Sequence, residues 1–316
     1  MDTKVSRRDV LTAAGVAAAG VALGSGAAEA QRASAEDLIR MVKTAEVYDL
    51  SFTWNEQAPV LNLNPPYSFA LNRTHRMTHE IFGQVPGSQV SWASDIMYFS
   101  GQHGSPSIDA IGHIGRNLRL HGGVDATAAT STPAGIGMNL GIDHYPKDLM
   151  LNRCVLLDVA RHLGGGRPDP LAPGLEVTAQ HLEDTAKAQG VEVRRGDSLL
   201  IRTGWGQYFG KKNDLFLGEQ SPGPGQDAAR WIIGKGVRLA GNDTATFEKR
   251  PPVYGKELFS VHMMLLADNG IYIVENANLE EVGAAKAHVF LLVLTPLKIQ
   301  GASGSPLRAL AVAPRR

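Results

Sequence analysis

Asp197-Ser198-Leu199-Leu200-Ile201-Arg202-Thr203 leads to Pro224-Gly225-Gln226-Asp227-Ala228-Ala229-Arg230-Trp231-Ile232-Ile233, and then to Val237-Arg238-Leu239-Ala240 ahead of Gly241-Asn242-Asp243-Thr244. The first and third runs are short, apolar and bounded by turn residues, as strands are. The middle run opens behind Pro-Gly and closes near Gly236, as a helix does. Downstream, Leu258 to Ala267 reads as helical, Ile271 to Val274 as a strand ending at Glu275, and His288–Leu294 and Arg308–Val312 as two further strands. Upstream, Val155 to Val159 is a continuous apolar run suited to a central strand. Thr178 caps a helix that runs through Leu182 and Ala186 to Gly190. Glu36 to Val42 has helical spacing, Val47 to Ser51 reads as a first strand, and Trp92 to Ser100 as another. Residues 54–91 show no sustained period and read as long loops, as do 114–140. Strands separated by helices at this pace predict an α/β fold with a central mixed sheet, one domain over 46–316 behind a lead-in at 31–45.

Length and charge narrow the function. The chain has 316 residues, with 31 Lys+Arg against 31 Asp+Glu, so it lacks the basic footprint of a nucleic-acid binder. Cys154 is the only cysteine, which excludes an intrachain disulfide, and its apolar setting predicts a buried, inert thiol. Ser6-Arg7-Arg8-Asp9-Val10-Leu11 resembles a twin-arginine export signal. An Ala/Gly/Val run follows, and Ala28-Glu29-Ala30 offers a cleavage site. Residues 1–30 are therefore expected to be a removable signal peptide read by the twin-arginine export machinery. The mature protein is then periplasmic, with no membrane segment.

Two stretches carry the chemistry. His103-Gly104-Ser105-Pro106-Ser107-Ile108-Asp109-Ala110-Ile111-Gly112-His113 sets two imidazoles and a carboxylate in a Gly/Ser/Pro-rich segment, read as a loop. Such nitrogen and oxygen donors suit Zn²⁺, Mn²⁺ or Fe²⁺, and a second histidine can serve as a base. The other stretch runs from His262 through Gly270 to Glu275. Helix, glycine, strand and terminal carboxylate bring an imidazole and a carboxylate to one sheet edge. Asp243 and Thr244 end a strand at the same edge, where they can orient a ligand from the second shell. Trp54, Tyr67, Phe69 and Trp205 are candidate walls for an aromatic substrate. His75, His79, His121, His144, His162, His181 and His288 are expected to be structural or superficial.

The two stretches together resemble the cyclase superfamily of metal-dependent hydrolases, which includes bacterial arylformamidases (kynurenine formamidases) and isatin hydrolases. That family carries H-x-G-T-H-x-D-A-P-x-H, with a variant G-T-Q-I-D-A-L-G-H. His103, Asp109-Ala110 and His113 fall at matching positions, and Ile108-Asp109-Ala110-Ile111-Gly112-His113 is close to the variant. Val47-Tyr48-Asp49-Leu50-Ser51, Leu200-Ile201-Arg202-Thr203-Gly204-Trp205, Asn242-Asp243-Thr244 and His262-Met263-Met264-Leu265-Leu266 with Gly270-Ile271 and Glu275 extend the likeness over most of residues 45–295.

The resemblance implies a swivelling β/β/α-type domain and a homo-oligomer. It also implies one or two divalent ions, Zn or Mn, on His103, Asp109, His262 and Glu275. A metal-activated water would attack the carbonyl of a small amide, with His113 as general acid/base. An arylformamide such as an N-formylkynurenine-like substrate is the family default. Lactam opening of the isatin hydrolase kind is the alternative. One position departs from the pattern: Ser107 stands where a ligand histidine or glutamine is expected, and Pro106 before it has no N–H. The chain then either holds its metal on the remaining ligands or is a non-catalytic periplasmic binding protein that lost its metal site.

Overall fold

In a computed structural model, residues 34–102, 104 and 106–315 are described. The expected signal peptide at 1–30 lies outside the described residues. The chain divides into two compact units, Met1–Arg40 and Met41–Arg316. Of the first, residues 34–40 are described. The Ser34 hydroxyl accepts from the Asp37 N–H while the Asp37 carboxylate accepts from Ser34, a reciprocal cap at the start of helix α1, Ala35–Thr44. No described helix is long and apolar enough to cross a membrane.

The second unit is built on one mixed sheet. Its strands are β1 (Glu46–Asp49), β2 (Ser107–Asp109), β3 (Leu151–Asp158), β4 (Ser198–Arg202), β5 (Leu239–Asn242), β6 (Tyr272–Glu275), β7 (Val289–Pro296) and β8 (Gly304–Ala313). They lie in the order β1-β8-β7-β3-β4-β5-β6-β2. β3, β4, β5 and β6 are parallel neighbours, and the remaining pairings are antiparallel. β2 pairs with β6 on one side and β8 on the other, so all but β1 close into a barrel-like ring. Closure removes the open edges that a flat sheet would expose.

Alternation along the strands sorts the core. Cys154, Leu156, Leu200, Leu239, Val274 and Ile108 join one apolar cluster with Leu292, Leu294, Ala309 and Ala311. Val155, Leu157, Leu199, Ile201, Ala240 and Ile273 join the other, beneath the helices. Two of those helices are α3 (Ala179–Gln189) and α4 (Gln226–Lys235); α2, at His75–Phe82, lies earlier in the chain. Leu182 and Ala186 of α3, Ala228, Ala229 and Ile232 of α4, and Val261, Leu265 and Leu266 cover that second face. Thr178 caps α3, with His181 completing the box, and Gly190 at φ +66° ends it. Burial pushes the Cys154 thiol up, consistent with an inert group.

Two sequence expectations are corrected. Residues 54–91 are not all loop: Ser68–Arg73 forms a strand paired with Ser94–Tyr98, and α2 follows it. Every residue of Ser68–Arg73 is exposed, so no inward-outward alternation marks it as a strand. Nor is His103–His113 a loop throughout, because Ser107–Asp109 is a fully buried strand, too short and polar to show a period.

One buried ion cluster ties the strand ends together. Arg202, 1% exposed, donates to Asp158 at the end of β3 at 2.9 Å, to Glu280 at 2.7 Å and to the Pro168 carbonyl. Replacing it with Met leaves the buried Asp158 carboxylate to Arg161 alone and takes the cation from Glu280, so Arg202→Met is expected to cost about 3–5 kcal/mol. A urea midpoint unchanged from wild type would contradict this.

Candidate metal centre

The register of the closing strand assembles the site. Ser107 faces Glu275 and Ile108 faces Val274 across the β2–β6 pair. Cross-strand partners share a face and so do residues two apart, so Ser107, Asp109 and Glu275 all point away from Ile108 toward the helix-covered side. There the segment Ser260–Ala267 packs against β6, its first turn an α-helix and its Met263–Ala267 turn a π-helix. π-turns widen the helix locally and recur at functional sites. His262 sits at that junction. Its Nε2 lies 3.3 Å from Glu275 Oε1 and 4.0 Å from Asp109 Oδ2. One ligand atom from each of Asp109, His262 and Glu275 falls within 4.8 Å of the others.

Glu248, which nothing in the sequence singled out, positions the imidazole. Its carboxylate is wholly buried and accepts from His262 Nδ1 at 2.6 Å, from the His262 N–H at 3.0 Å and from the Val261 N–H at 3.4 Å. An Nδ1–H given to Glu248 leaves Nε2 to face Asp109 and Glu275, the carboxylate–histidine arrangement that orients metal ligands. Glu248 falls in the charged run Phe247-Glu248-Lys249-Arg250, which reads as surface, and only the fold turns it inward.

Charge is unbalanced at this point. Burial raises the Asp109 carboxyl to about 6, against the opposing pull of His113 and His262. Burial raises Glu275 as well. Burial also disfavours an imidazolium at His262, but hydrogen bonds to Glu248 and Glu275 outweigh it and push the group up to about 10. Asp109 Oδ2 is buried with no hydrogen-bond partner among the described residues. Three buried carboxylates around one imidazole, with an orphaned oxygen aimed among them, are what a divalent cation would satisfy. The residues fit the group: Asp109, His262 and Glu275 supply the oxygen and nitrogen donors that suit Zn²⁺ or Mn²⁺.

The remaining expected residues fall at different distances from this centre. His103 lies outside the described residues. His113 is partly exposed, with Nε2 3.9 Å from Asp109 Oδ1 and Nδ1 3.3 Å from the Gln102 side chain. Gln102 is held in turn by Ser303 at 3.1 Å. Ser107 points the right way, but its buried hydroxyl has no hydrogen-bond partner among the described residues. Asp243 accepts from the Thr203 N–H and hydroxyl and from the Gly204 N–H, at 2.6–2.9 Å. Thr244 donates to Asn242. Asp243 thus braces the Thr203–Gly204 turn at the end of β4, where Gly204 stands at φ +75°, while Thr244 bonds within its own turn.

A cavity of about 230 Å³ opens onto the centre. His113, His262, Glu275 and Asn276 line its floor, with Val60, Leu61, Leu63, Ile114, Leu217 and Phe259 among its walls. None of the four aromatic residues expected to line it does so. Trp54 stacks on Tyr67, Phe69 is exposed, and Trp205 is buried in a separate cluster with Phe209 and Phe216. Of the other histidines, His121 bonds the Ala267 carbonyl and His181 belongs to the α3 cap.

Comparison with known proteins places this geometry. The Cyclase family model matches residues 48–249. Isatin hydrolase of Roseibium aggregatum is 32% identical over 138 residues, 41% of this chain and 49% of that protein. The match thus spans about half the length of that relative. A crystal structure described as a novel cyclase superposes with a TM-score of 0.76 at 30% identity, over 87% of this chain and 90% of that one. Isatin hydrolase A from Ralstonia solanacearum superposes with a TM-score of 0.66 at 21% identity, over 88% and 95%, a likeness of fold.

Two consequences follow for metal affinity, both read by titration against a competing chelator. Glu248→Gln is expected to weaken Zn²⁺ binding about 10- to 100-fold by releasing the imidazole; unchanged affinity would contradict its positioning role. A metal must displace the His262 proton at neutral pH and an Asp109 proton below about 6. Affinity therefore falls with falling pH, about tenfold per unit for each displaced proton and more steeply below pH 6. A pH-independent affinity between 5 and 8 would contradict it.

Proposed function

Because the chain belongs to the cyclase family of metal-dependent hydrolases, we propose that it hydrolyses the C–N bond of a small, uncharged amide at the Asp109–His262–Glu275 centre. The observation that carries this reading is the cavity itself. Aliphatic walls end on a cluster of carboxylates and imidazoles, and no Lys or Arg is among its described lining residues. The carboxylate of an N-formylkynurenine-like substrate would find no Lys or Arg side chain along those walls. A neutral ring lactam or a simple arylformamide would keep its apolar body against Val60, Leu61 and Leu63 and its carbonyl at the centre. The relative named as an isatin hydrolase supports the lactam as the first substrate to test.

Asp109, His262 and Glu275 would hold the metal, which when bound supplies a Lewis acid and lowers the pKa of water toward neutrality. His113 moves the proton. Its Nε2, 3.9 Å from Asp109 Oδ1, faces the centre; with the Gln102 carboxamide turned to present its oxygen to Nδ1–H, Nε2 would take a proton there and return it to the leaving nitrogen. The apolar walls limit water around the scissile bond. Glu248 keeps His262 from rotating out of the centre.

The exposed ribbon supports a homo-oligomer. Leu71, Ile96, Met97 and Tyr98 are each more than half exposed on the two-stranded pair Ser68–Arg73 and Ser94–Tyr98. A lone two-stranded ribbon is marginal in water, and a second copy of the chain would cover this one. The chain on either side of the ribbon returns to the cavity wall at Leu63 and Gln102.

Isatin, formanilide and N-formylkynurenine are the substrates to compare, before and after metal removal. The reading expects turnover of the two uncharged amides above the amino acid, loss on chelation and return with added Zn²⁺ or Mn²⁺. His113→Ala is expected to lower kcat about 10²- to 10⁴-fold with the metal retained. Hydrolysis that survives complete metal removal would contradict the reading. Light scattering is expected to give a multiple of the chain mass, and a monomer at micromolar concentration would overturn the oligomer.

A further inference from the structure

Asn276 follows Glu275 directly and lines the same cavity. It is buried, and its backbone stands at φ +57°, in the left-handed region that asparagine adopts more readily than other residues with a side chain. The Asn276 N–H is engaged, donating to the Thr244 carbonyl at 3.0 Å. Its side-chain Oδ1 is buried and has no hydrogen-bond partner among the described residues. Phe259, which also lines the cavity, is left-handed at φ +53°. A buried carboxamide oxygen without a partner, in a residue that lines a cavity, destabilises the empty protein and persists where a ligand satisfies it.

The other polar side chains of the cavity already have work. Asn64 accepts from Ser100, Thr246 donates to the Glu248 carbonyl, and Gln102 bridges Ser303 and His113. His262 and Glu275 belong to the metal centre. Asn276 is thus the polar group among the described lining residues whose side chain is left for the substrate.

We propose that Asn276 accepts a hydrogen bond from the substrate N–H beside the scissile carbonyl, and so selects secondary amides and N–H lactams over N-alkylated amides. This rests on the amide-hydrolysis reading above. A cavity built around a buried acceptor discriminates strongly against an analogue without the donor, because binding that analogue leaves the acceptor desolvated and unpaired.

The test compares isatin with 1-methylisatin in wild type and in Asn276→Gly. Glycine keeps the left-handed backbone and removes only the carboxamide; metal content of the variant reports that the centre is intact. The expected result is a fall in kcat/KM for isatin of about 10- to 100-fold, with the 1-methylisatin value unchanged within about threefold, so that the preference collapses from the isatin side. A variant that keeps the wild-type preference overturns the inference. So does one that loses it by gaining 1-methylisatin turnover, which marks a steric role. Wild-type enzyme that turns over both lactams equally overturns the inference alone. Wild-type enzyme that hydrolyses neither lactam nor formanilide overturns the amide reading and this inference with it.

Discussion

The pairing of Ser107–Asp109 with two neighbours at once is the constraint on which the rest of the structure depends. Three residues bond to β6 on one side and to β8 on the other, and in doing so close the sheet. The same register sets Asp109 and Glu275 on one face. A one-residue slip would turn Asp109 and Ser107 into the apolar interior and Ile108 into the site. Closure of the fold and assembly of the centre are therefore a single event. The buried Ile108, packed among Leu156, Leu200 and Val274, resists that slip.

The centre is costly to keep without a cation. Removing Asp109, Glu275 and Glu248 from water is offset in part by one imidazolium and by backbone N–H donors to Glu248. The apolar core carries this cost, and a bound divalent ion would return it as affinity. The same reasoning links the π-turn at Met263–Ala267 to function. It lets His262 point its Nε2 at the strand ends while Leu265 and Leu266 stay in the core.

Much of the scaffold was legible because it is periodic. Val155 to Val159, Ser198 to Arg202 and the α3 segment between Thr178 and Gly190 carry patterns or caps that tertiary context only confirms. The site was legible in part, since His113, Asp109, His262 and Glu275 stand at spaced motif positions and the fold brings them together. What stayed hidden depends on long-range packing. Glu248 looks like one charge among several, and Asn276 like an ordinary strand end, until the fold buries both. The aromatic residues misled because loop position says nothing of direction. Trp205 turned into its own cluster, and the ribbon at Ser68–Arg73, exposed on both faces, offered no alternation to read.

The central claim is that these buried groups form a metal centre, and elemental analysis tests it most directly. The protein would be purified without added metal, beside Asp109→Ala and Glu275→Ala. The account predicts about one Zn²⁺ or Mn²⁺, or more, per wild-type chain and loss of that metal in both variants. A metal-free wild type that also fails to take up added Zn²⁺ or Mn²⁺ would contradict it.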